Sequence, residues 1–304
     1  PMTMIETLRQ QLGDAAVIAP GPAMAGYLEE RRGLFAQRPA QAVVRPADTR
    51  GVATCVRIAA EYGAGIVPQG GNTGLCGGAA TTHPDGLILS LERLDRIRAV
   101  DADNFTLTAE AGCTLSALQT AAADVGRLFP LSYAAENDCQ IGGNLATNAG
   151  GMNVLRYGNA RDLALGLEVV LADGRIWDGL RTLRKDNSGY DLKDLFIGAE
   201  GTLGIITAAS LKLFPAVRER ATAIVGLDSA TAAVSLFARL RAASGDTITS
   251  CELMGRGPLG LALEHAAVCP EPLPEGFPWY LLVELTSSAP AAALDTRLEQ
   301  ALQA

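Results

Sequence analysis

The sequence predicts an α+β protein with about two domains. A strand, a helix and a second strand follow one another between residues 42 and 68, an order typical of a parallel layer. An Asp-Gly pair at 173–174 between two apolar runs predicts an antiparallel hairpin. The composition changes after Pro215, and 304 residues are enough for about two domains.

The elements of the first domain are predicted from caps, periodicity and turns. Asp48 or Thr49 can cap a helix at 49–62, whose apolar residues return on one face before Gly63 ends it. The buried strand at 65–68 runs directly into a glycine-rich loop. The other predicted elements are two helical segments within 3–40, strands at 42–46, 87–91, 106–111, 167–171, 175–177 and 204–214, and a helix at 115–126.

Strands and helices alternate again after Pro215. The predicted strands are at 223–227, 248–254 and 280–285, and the predicted helices are at 230–243, 259–265 and 291–301. We place the domain boundary so that residues 1–217 form the first domain and residues 218–304 the second.

The charge argues against one class of partner. The formal net charge is −8, the isoelectric point is about 4.9, and the only lysines are Lys185, Lys193 and Lys212. A nucleic-acid binder displaces counterions from phosphates with a basic face, which this composition does not supply. We therefore expect no nucleic-acid partner.

The sequence shows no sign of export or of a membrane span. No run of about 18 apolar residues occurs, and the first residues contain no basic segment before an apolar one. The six cysteines form no C-x-x-C pair, which favours reduced thiols over a metal or redox site. We expect a cytoplasmic protein, peripheral to the inner membrane face at most, without a transmembrane segment or a metal site.

Histidine is scarce in this chain. His83 lies in a predicted turn, and His265 ends a short predicted helix, where it can interact with the helix dipole. We expect neither to be a catalytic base, so the catalytic residues stay unassigned.

Three segments carry the chemical signal, and we call the first of them, residues 68–78, the first motif. Its five glycines directly follow a buried strand. Without Cβ atoms, backbone N–H groups can converge on an anion, and Asn72 and Thr73 add side-chain donors. The pattern favours a phosphate cradle over a flexible surface turn. It is not a Walker loop, because no Gly-Lys-Ser/Thr follows.

The second motif is residues 139–151. Two Gly-Gly pairs, 142–143 and 150–151, bracket one helical turn that also contains Asn144, Thr147 and Asn148. Glycine pairs let the backbone lie flat against a planar or phosphorylated ligand. Tight packing of a helix on a sheet explains the same pattern, and the residues by themselves leave both explanations open.

The third motif is residues 185–207. It begins with a charged stretch that also reads as a solvated loop, and it ends with Glu200 and Gly201 just before a buried strand. Its last apolar residues are also consistent with an ordinary core strand.

In this order, the three motifs resemble the FAD-binding module shared by vanillyl-alcohol oxidase and p-cresol methylhydroxylase. Within that family they are most similar to the D-lactate, D-2-hydroxyglutarate and glycolate dehydrogenase group. The resemblance covers residues 40–215 and continues more weakly to the end of the chain. It implies a p-cresol methylhydroxylase-type FAD-binding domain of two α+β subdomains, followed by part of an α+β, ferredoxin-like substrate-cap domain.

The resemblance also implies a set of cofactor-binding residues. The first motif would hold the pyrophosphate, the second would line the ribityl chain and the flavin, and backbone groups near the end of the third would meet the adenosine. The residues implied are Pro68, Gln69, Gly70, Gly71, Asn72, Thr73, Gly74, Leu75, Leu131, Ser132, Ile141, Gly142, Gly143, Ala146, Thr147, Asn148, Gly150, Gly151, Glu200, Gly204 and Ile206. Some relatives attach the flavin through a histidine of the first motif; here that motif contains Asn72 and no histidine, which implies non-covalent FAD.

A separate glycine pattern, G-x-G-x-x-G at 255–260, follows a predicted strand and opens a predicted helix, as in a dinucleotide-binding fold. Three observations argue against NAD: the helix is short, the following link contains several prolines, and the preceding strand is polar. A lone G-x-G-x-x-G is a weak signal.

The resemblance implies an FAD-dependent dehydrogenase that transfers hydride from a small D-2-hydroxy acid to flavin, and then electrons to a quinone or an electron-transfer flavoprotein. The related cap domain continues beyond the strands seen here, so we expect the N-terminal part of a longer enzyme, and we expect that enzyme to be a homodimer. The alternatives are a catalytically inactive flavin-binding fragment or subunit and, less favoured, an NAD-binding protein.

Overall fold

The computed structural model describes residues 2–35, 40–81, 85–265, 270–273 and 276–303. Its strands are β1 Val17–Ile18, β2 Ala42–Val44, β3 Ile66–Gln69, β4 Leu87–Ser90, β5 Ile97–Asp101, β6 Thr106–Glu110, β7 Arg127–Leu128, β8 Ala164–Leu171, β9 Ile176–Gly179, β10 Gly204–Lys212, β11 Phe214–Pro215, β12 Glu219–Leu227, β13 Ile248–Gly255 and β14 Trp279–Ser287. Its α-helices are α1 Met4–Leu12, α2 Thr49–Glu61, α3 Leu115–Asp124, α4 Ile141–Ala146, α5 Val154–Tyr157, α6 Ala160–Leu163, α7 Lys193–Phe196, α8 Ala230–Ser244, α9 Arg256–His265 and α10 Leu294–Gln303.

Contacts divide the chain into two compact units. The first contains Pro1–Ala149 and Asn159–Phe214, and the second contains Gly150–Gly158 and Pro215–Ala304. The sequence did not predict that Gly150–Gly158 would pack with the C-terminal residues. Our limits of 1–217 and 218–304 for the two domains stay predictions.

The first unit contains two sheets. In the smaller one, β2, β4 and β3 are parallel and β1 is antiparallel, in the order β1-β2-β4-β3. The predicted strand–helix–strand opening is therefore confirmed, although β4 lies between β2 and β3. Helix α2 is capped by Asp48, whose side chain accepts the Gly51 N–H, and it buries Val52, Cys55 and Val56 in the core.

The second sheet of this unit is antiparallel, in the order β5-β6-β10-β8-β9. The predicted hairpin is confirmed: β8 pairs with β9, and the Gly174 N–H donates to the Leu171 carbonyl. The sequence analysis missed β5, because its Ile-Arg-Ala-Val-Asp sequence is largely exposed at the sheet edge.

The second unit is built on an antiparallel sheet in the order β12-β14-β13. Helices α8 and α10 cover its apolar face, with Leu236, Leu240 and Leu298 packed against Val283 and Leu285. Helix α10 begins later than predicted, since Ala291 and Ala293 have φ values of 54° that a right-handed helix does not permit.

Of the two helical segments predicted within 3–40, α1 is the one that is α-helical among the described residues. After α1, the chain forms short 3-10 helices at Asp14–Ala16 and Pro22–Tyr27. Helix α1 is fixed by a capping box in which Thr3 and Glu6 satisfy each other's backbone N–H groups.

Candidate functional site

The first motif forms a loop after β3, and the backbone N–H groups of this loop are unpaired in the part of the chain that the structure describes. Among the described residues, no backbone N–H of residues 70–78 donates a hydrogen bond. A run of free N–H groups in a glycine-rich loop suits an anion. The loop begins at Gln69, which is only 2% exposed and forms the end of a parallel strand. The first residue of the loop is therefore held in place by the sheet.

The first and second motifs lie against each other. A Cβ atom on Gly71 would lie 1.8 Å from the Asp138 carbonyl oxygen, so only glycine allows this approach. A Cβ on Gly70 would lie 3.4 Å from Gln140 Oε1 and 3.8 Å from the Gly143 N atom. The two loops are thus brought together.

The second motif contains α4, and its two glycines differ in their surroundings. A Cβ on Gly142 would lie 2.7 Å from the Cβ of Ala111, while a Cβ on Gly143 would meet nothing within 4 Å. Gly142 thus serves the tight helix–sheet packing that we left open, and Gly143 faces open space.

The third motif joins both of the others. The Gly198 N–H donates to the Leu145 carbonyl at 3.0 Å, and the Glu200 N–H donates to the Ala146 carbonyl at 2.9 Å. A Cβ on Gly201 would lie 2.8 Å from Pro68 Cγ. Residues far apart in the sequence therefore form one cluster in the first unit.

Each motif contains one non-glycine residue in the left-handed region. The φ values are 50° for Asn72, 48° for Asn148 and 51° for Glu200. Such backbone strain concentrates at ligand sites, where surrounding contacts hold it in place. The Asn148 side chain supplies one such contact, because its Oδ1 accepts the Arg161 N–H at 3.0 Å.

Two buried polar atoms near the loops have no hydrogen-bond partner among the described residues: Gln140 Oε1 and Asn144 Nδ2. Tyr133 fixes the other end of the Asn144 amide, because its Oη donates to Asn144 Oδ1 at 2.6 Å. Burial, together with a hydrogen bond to the Cys139 thiol, raises the pKa of Tyr133. The sequence analysis singled out neither Gln140 nor Tyr133, because only the fold reveals their position.

The other predicted residues are placed as follows. Thr147 Oγ1 bonds the Gly143 carbonyl at 2.9 Å, Leu75 is 51% exposed, and Ile206 is buried in β10. Leu131 is buried, Ser132 is half-buried, and no described hydrogen bond links either to the three motifs. Gly150 and Gly151 belong to the second unit.

A cavity of about 190 Å³ lies beside the end of the third motif in the first unit. Its walls are mainly apolar and come from α2, β3, the end of β8 and the start of β10. The lining includes Val56, Ala60, Ile66, Pro68, Val170, Gly204 and Ile205.

This set of groups fits FAD. The free N–H groups suit a pyrophosphate, the open space at Gly143 leaves room for a ligand, and the cavity beside the third motif is lined mostly by apolar residues. The roles of the individual residues stay predictions.

The sequence matches two family models. Residues 40–179 match the FAD binding domain, and residues 216–304 match the C-terminal domain of FAD linked oxidases. The chain belongs to the FAD-linked oxidases. The expected FAD cofactor is thereby confirmed, and so is the family that the three motifs indicated.

Curated relatives of this FAD-linked oxidase are D-2-hydroxyglutarate dehydrogenases. The chain is 40% identical over 264 residues to the mitochondrial enzyme of Bos taurus, covering 86% of this chain and 48% of that protein. It is 42% identical over 224 residues to a probable mitochondrial enzyme of Oryza sativa subsp. japonica, covering 73% and 40%. The chain spans about half the length of the curated relatives it matches.

These names correct our expectation about location. We expected a cytoplasmic protein, peripheral to the inner membrane face at most, but both relatives are named as mitochondrial. Composition and the first residues of a chain do not determine its compartment.

A solved structure of p-cresol methylhydroxylase with substrate bound has the same fold. The TM-score is 0.79 at 20% identity, over 99% of this chain and 63% of the other. The predicted α+β fold of the p-cresol methylhydroxylase type is therefore confirmed.

The G-x-G-x-x-G pattern of the second unit lacks the geometry of a dinucleotide site. It ends β13 and opens α9, as predicted, but the next strand, β14, is antiparallel to β13. A dinucleotide-binding unit needs a crossover between parallel strands. The pattern is therefore a coincidence of sequence.

The two histidines give no base for catalysis among the described residues. His83 lies outside them. His265 ends α9 on the surface, with Nδ1 3.0 Å from the Leu261 carbonyl oxygen of the same helix. In the part of the chain that the structure describes, no helix is long and apolar enough to span a bilayer, and no group of three or more potential metal ligands occurs.

Proposed function

We propose that this chain is the flavin-binding part of an FAD-dependent dehydrogenase that oxidises a D-2-hydroxy acid of the D-lactate, D-2-hydroxyglutarate or glycolate type. The observation that carries the proposal is the joining of three distant glycine-rich motifs around a loop of free backbone N–H groups. The names of the curated relatives support this substrate class.

In this proposal the first motif binds the pyrophosphate through its backbone N–H groups, and the second and third motifs enclose the rest of the cofactor. When bound, FAD supplies a hydride acceptor. The residues of the chain bind and orient the cofactor. We assign no residue of the described chain as the base that takes the substrate's hydroxyl proton.

Three further features belong to the proposal. FAD is held non-covalently, because the first motif, in which some relatives attach flavin through a histidine, contains no histidine here. Electrons pass on to a quinone or an electron-transfer flavoprotein. The protein forms a homodimer. Precipitation of the loaded protein with acid tests the first feature: free FAD in the supernatant supports it, and yellow precipitate contradicts it.

The second candidate is a flavin-binding piece or subunit without activity of its own. This candidate is supported by length, since the chain spans about half the length of its curated relatives.

One experiment separates the two candidates. The purified chain is loaded with FAD, desalted, and its visible spectrum is recorded without oxygen before and after addition of D-2-hydroxyglutarate, D-lactate or glycolate. Bleaching of bound flavin supports the dehydrogenase. Bound flavin that none of the acids bleaches supports the inactive piece. A chain that never retains flavin contradicts both.

A further inference from the structure

Residues 27–35, which we call the strap, run alongside the first motif. Asn72 Nδ2 donates to the Glu29 carbonyl at 2.8 Å. Gln69 Nε2 donates to the Tyr27 carbonyl at 2.9 Å and to the Ala79 carbonyl at 3.3 Å. Two amide side chains of the motif are therefore bonded to the chain around it.

Gln69 connects three parts of the backbone with one side chain. It stands where β3 enters the loop, and its amide reaches the start of the strap and the far end of the loop at Ala79. It is 2% exposed, so these bonds form away from competing water. The start and the end of the loop are thus held at a fixed separation.

The strap is itself fixed at its base and folded at its tip. Tyr27 Oη donates to Glu92 Oε1 at 2.8 Å, which also binds Arg45. The Glu30 carboxylate accepts the N–H groups of Arg32 at 3.1 Å, Leu34 at 2.7 Å and Phe35 at 3.4 Å. Side-chain hydrogen bonds therefore hold the strap in place at both of its ends.

The tip of the strap also packs against the loop. A Cβ on Gly77 would lie 2.7 Å from two atoms of the Phe35 ring, so the ring lies directly against the loop backbone. Arg31 Nη2 lies 3.8 Å from Asp138 Oδ2, in the segment that also approaches Gly71.

The geometry points to Gln69 and Asn72 as positioning residues: their amides fasten the first motif to the strap, so that the backbone N–H groups of residues 70–78 are held ready for the FAD pyrophosphate. This rests on the proposed FAD site. It differs from the role that the resemblance implies for Asn72, which is direct contact with the pyrophosphate.

The test measures FAD affinity by quenching of flavin fluorescence on the full chain. Asn72→Gly removes the amide but still permits the positive φ, and Gln69→Met keeps the volume. We expect each to weaken FAD binding between about two- and tenfold, the range for loss of a hydrogen bond. Asn104→Gly is the matched control, because the Asn104 amide also donates to a backbone carbonyl, that of Thr182, elsewhere in the unit. It should leave the affinity unchanged.

A double variant separates positioning from direct contact. Glu30→Ala removes the carboxylate that folds the tip of the strap, and the described hydrogen bonds of Glu30 are all to strap N–H groups rather than to the loop. If Asn72 acts through the strap, the pair Asn72→Gly and Glu30→Ala weakens binding little more than one variant alone. Effects that multiply would show that Asn72 contacts the cofactor independently and would overturn the inference.

Trypsin supplies a readout that does not need FAD. Arg31 and Arg32 are cleavage sites within the strap, and we expect Asn72→Gly and Gln69→Met to speed cleavage there at least threefold while Asn104→Gly does not. Unchanged cleavage and unchanged affinity would overturn the inference while leaving the FAD site intact. A wild-type chain that binds no FAD would instead overturn the proposed function, and the strap's role in binding with it.

Discussion

The Asp138 carbonyl oxygen lies 1.8 Å from where a Cβ atom of residue 71 would be, so Gly71 is required by the approach of two loops that are distant in sequence. The contact sets the separation of the first and second motifs. It also distinguishes Gly71 from Gly74 in the same loop, because a Cβ on Gly74 would meet nothing within 4 Å.

This difference predicts the behaviour of two variants. Gly71→Ala must push the loop from Asp138, and we expect FAD affinity to fall at least about fivefold, in line with a cost of about 1–3 kcal/mol for overpacking. Gly65→Ala, outside the three motifs, is the matched control, because a Cβ there would also meet nothing within 4 Å, and it should change the affinity less than twofold. Titration of FAD against each purified variant measures both, and equal losses would contradict the assignment.

Tyr133 predicts an effect on stability through Asn144. Tyr133→Phe removes the donor to Asn144 Oδ1 and leaves both ends of a buried amide without partners. We expect the free energy of unfolding to fall by about 1–3 kcal/mol. Tyr62→Phe is the control, since the Tyr62 hydroxyl bonds to Thr7 and to the Met2 carbonyl at the exposed surface. Urea denaturation compares the two, and similar losses would refute the prediction.

The environment of Glu110 predicts that the stability of the protein depends on pH in the acid range. Its side chain is fully buried and bonds Arg96 at 2.9 Å and Arg98 at 3.2 Å. Burial alone would raise the pKa of Glu110, but the hydrogen bonds and charges of the two arginines outweigh it and lower that pKa below 4.5. The stabilisation is therefore complete above the unfolded-state pKa and is lost as the pH falls through the lower folded-state value.

Glu110→Gln should therefore destabilise the protein by about 2–3 kcal/mol at pH 7, and the difference from wild type should shrink in acid. Asp246→Asn removes an exposed pair with Arg241 and should cost less than about 1 kcal/mol. Unfolding curves at several pH values test this. A Glu110→Gln deficit that stays constant down to the acid limit would rule out the explanation.

The cysteines predict a pattern of labelling. Burial raises the pKa of Cys55 to about 12 and that of Cys113 to about 11, so both thiols are protonated and shielded at neutral pH. Cys76 is exposed within the first motif. Iodoacetamide followed by peptide mass analysis should modify Cys76 before either, and saturating FAD should slow this reaction. Labelling of Cys76 unaffected by FAD would argue against cofactor at the loop.

Substitution of Gly257 or Gly260 should have little effect on the stability of the protein. A Cβ at either position would meet nothing within 4 Å. Gly257→Ala and Gly260→Ala should leave the melting temperature within about 2 °C of wild type, and neither the variants nor wild type should bind NADH, because β13 and β14 are antiparallel. NADH fluorescence enhancement by wild type that Gly257→Ala abolishes would contradict this.

The sequence alone determined what depends on local pattern. The caps and apolar period of α2, the Asp-Gly turn of the β8–β9 hairpin and the position of the glycine loop after β3 are properties of neighbouring residues, and all three are found where predicted. The order of the three motifs was enough to indicate the family, because long motifs in register do not recur by chance.

Only the tertiary structure decided which glycines are required and what the polar side chains do. Gly71 and Asp138 are far apart in the chain, and so are Asn72 and Glu29, so no local pattern encodes their contacts. The antiparallel pairing of β13 and β14 likewise removed a site that the local pattern allowed. Local propensity and spacing fix each element, but the approach of one backbone to another depends on long-range packing, which the fold alone establishes.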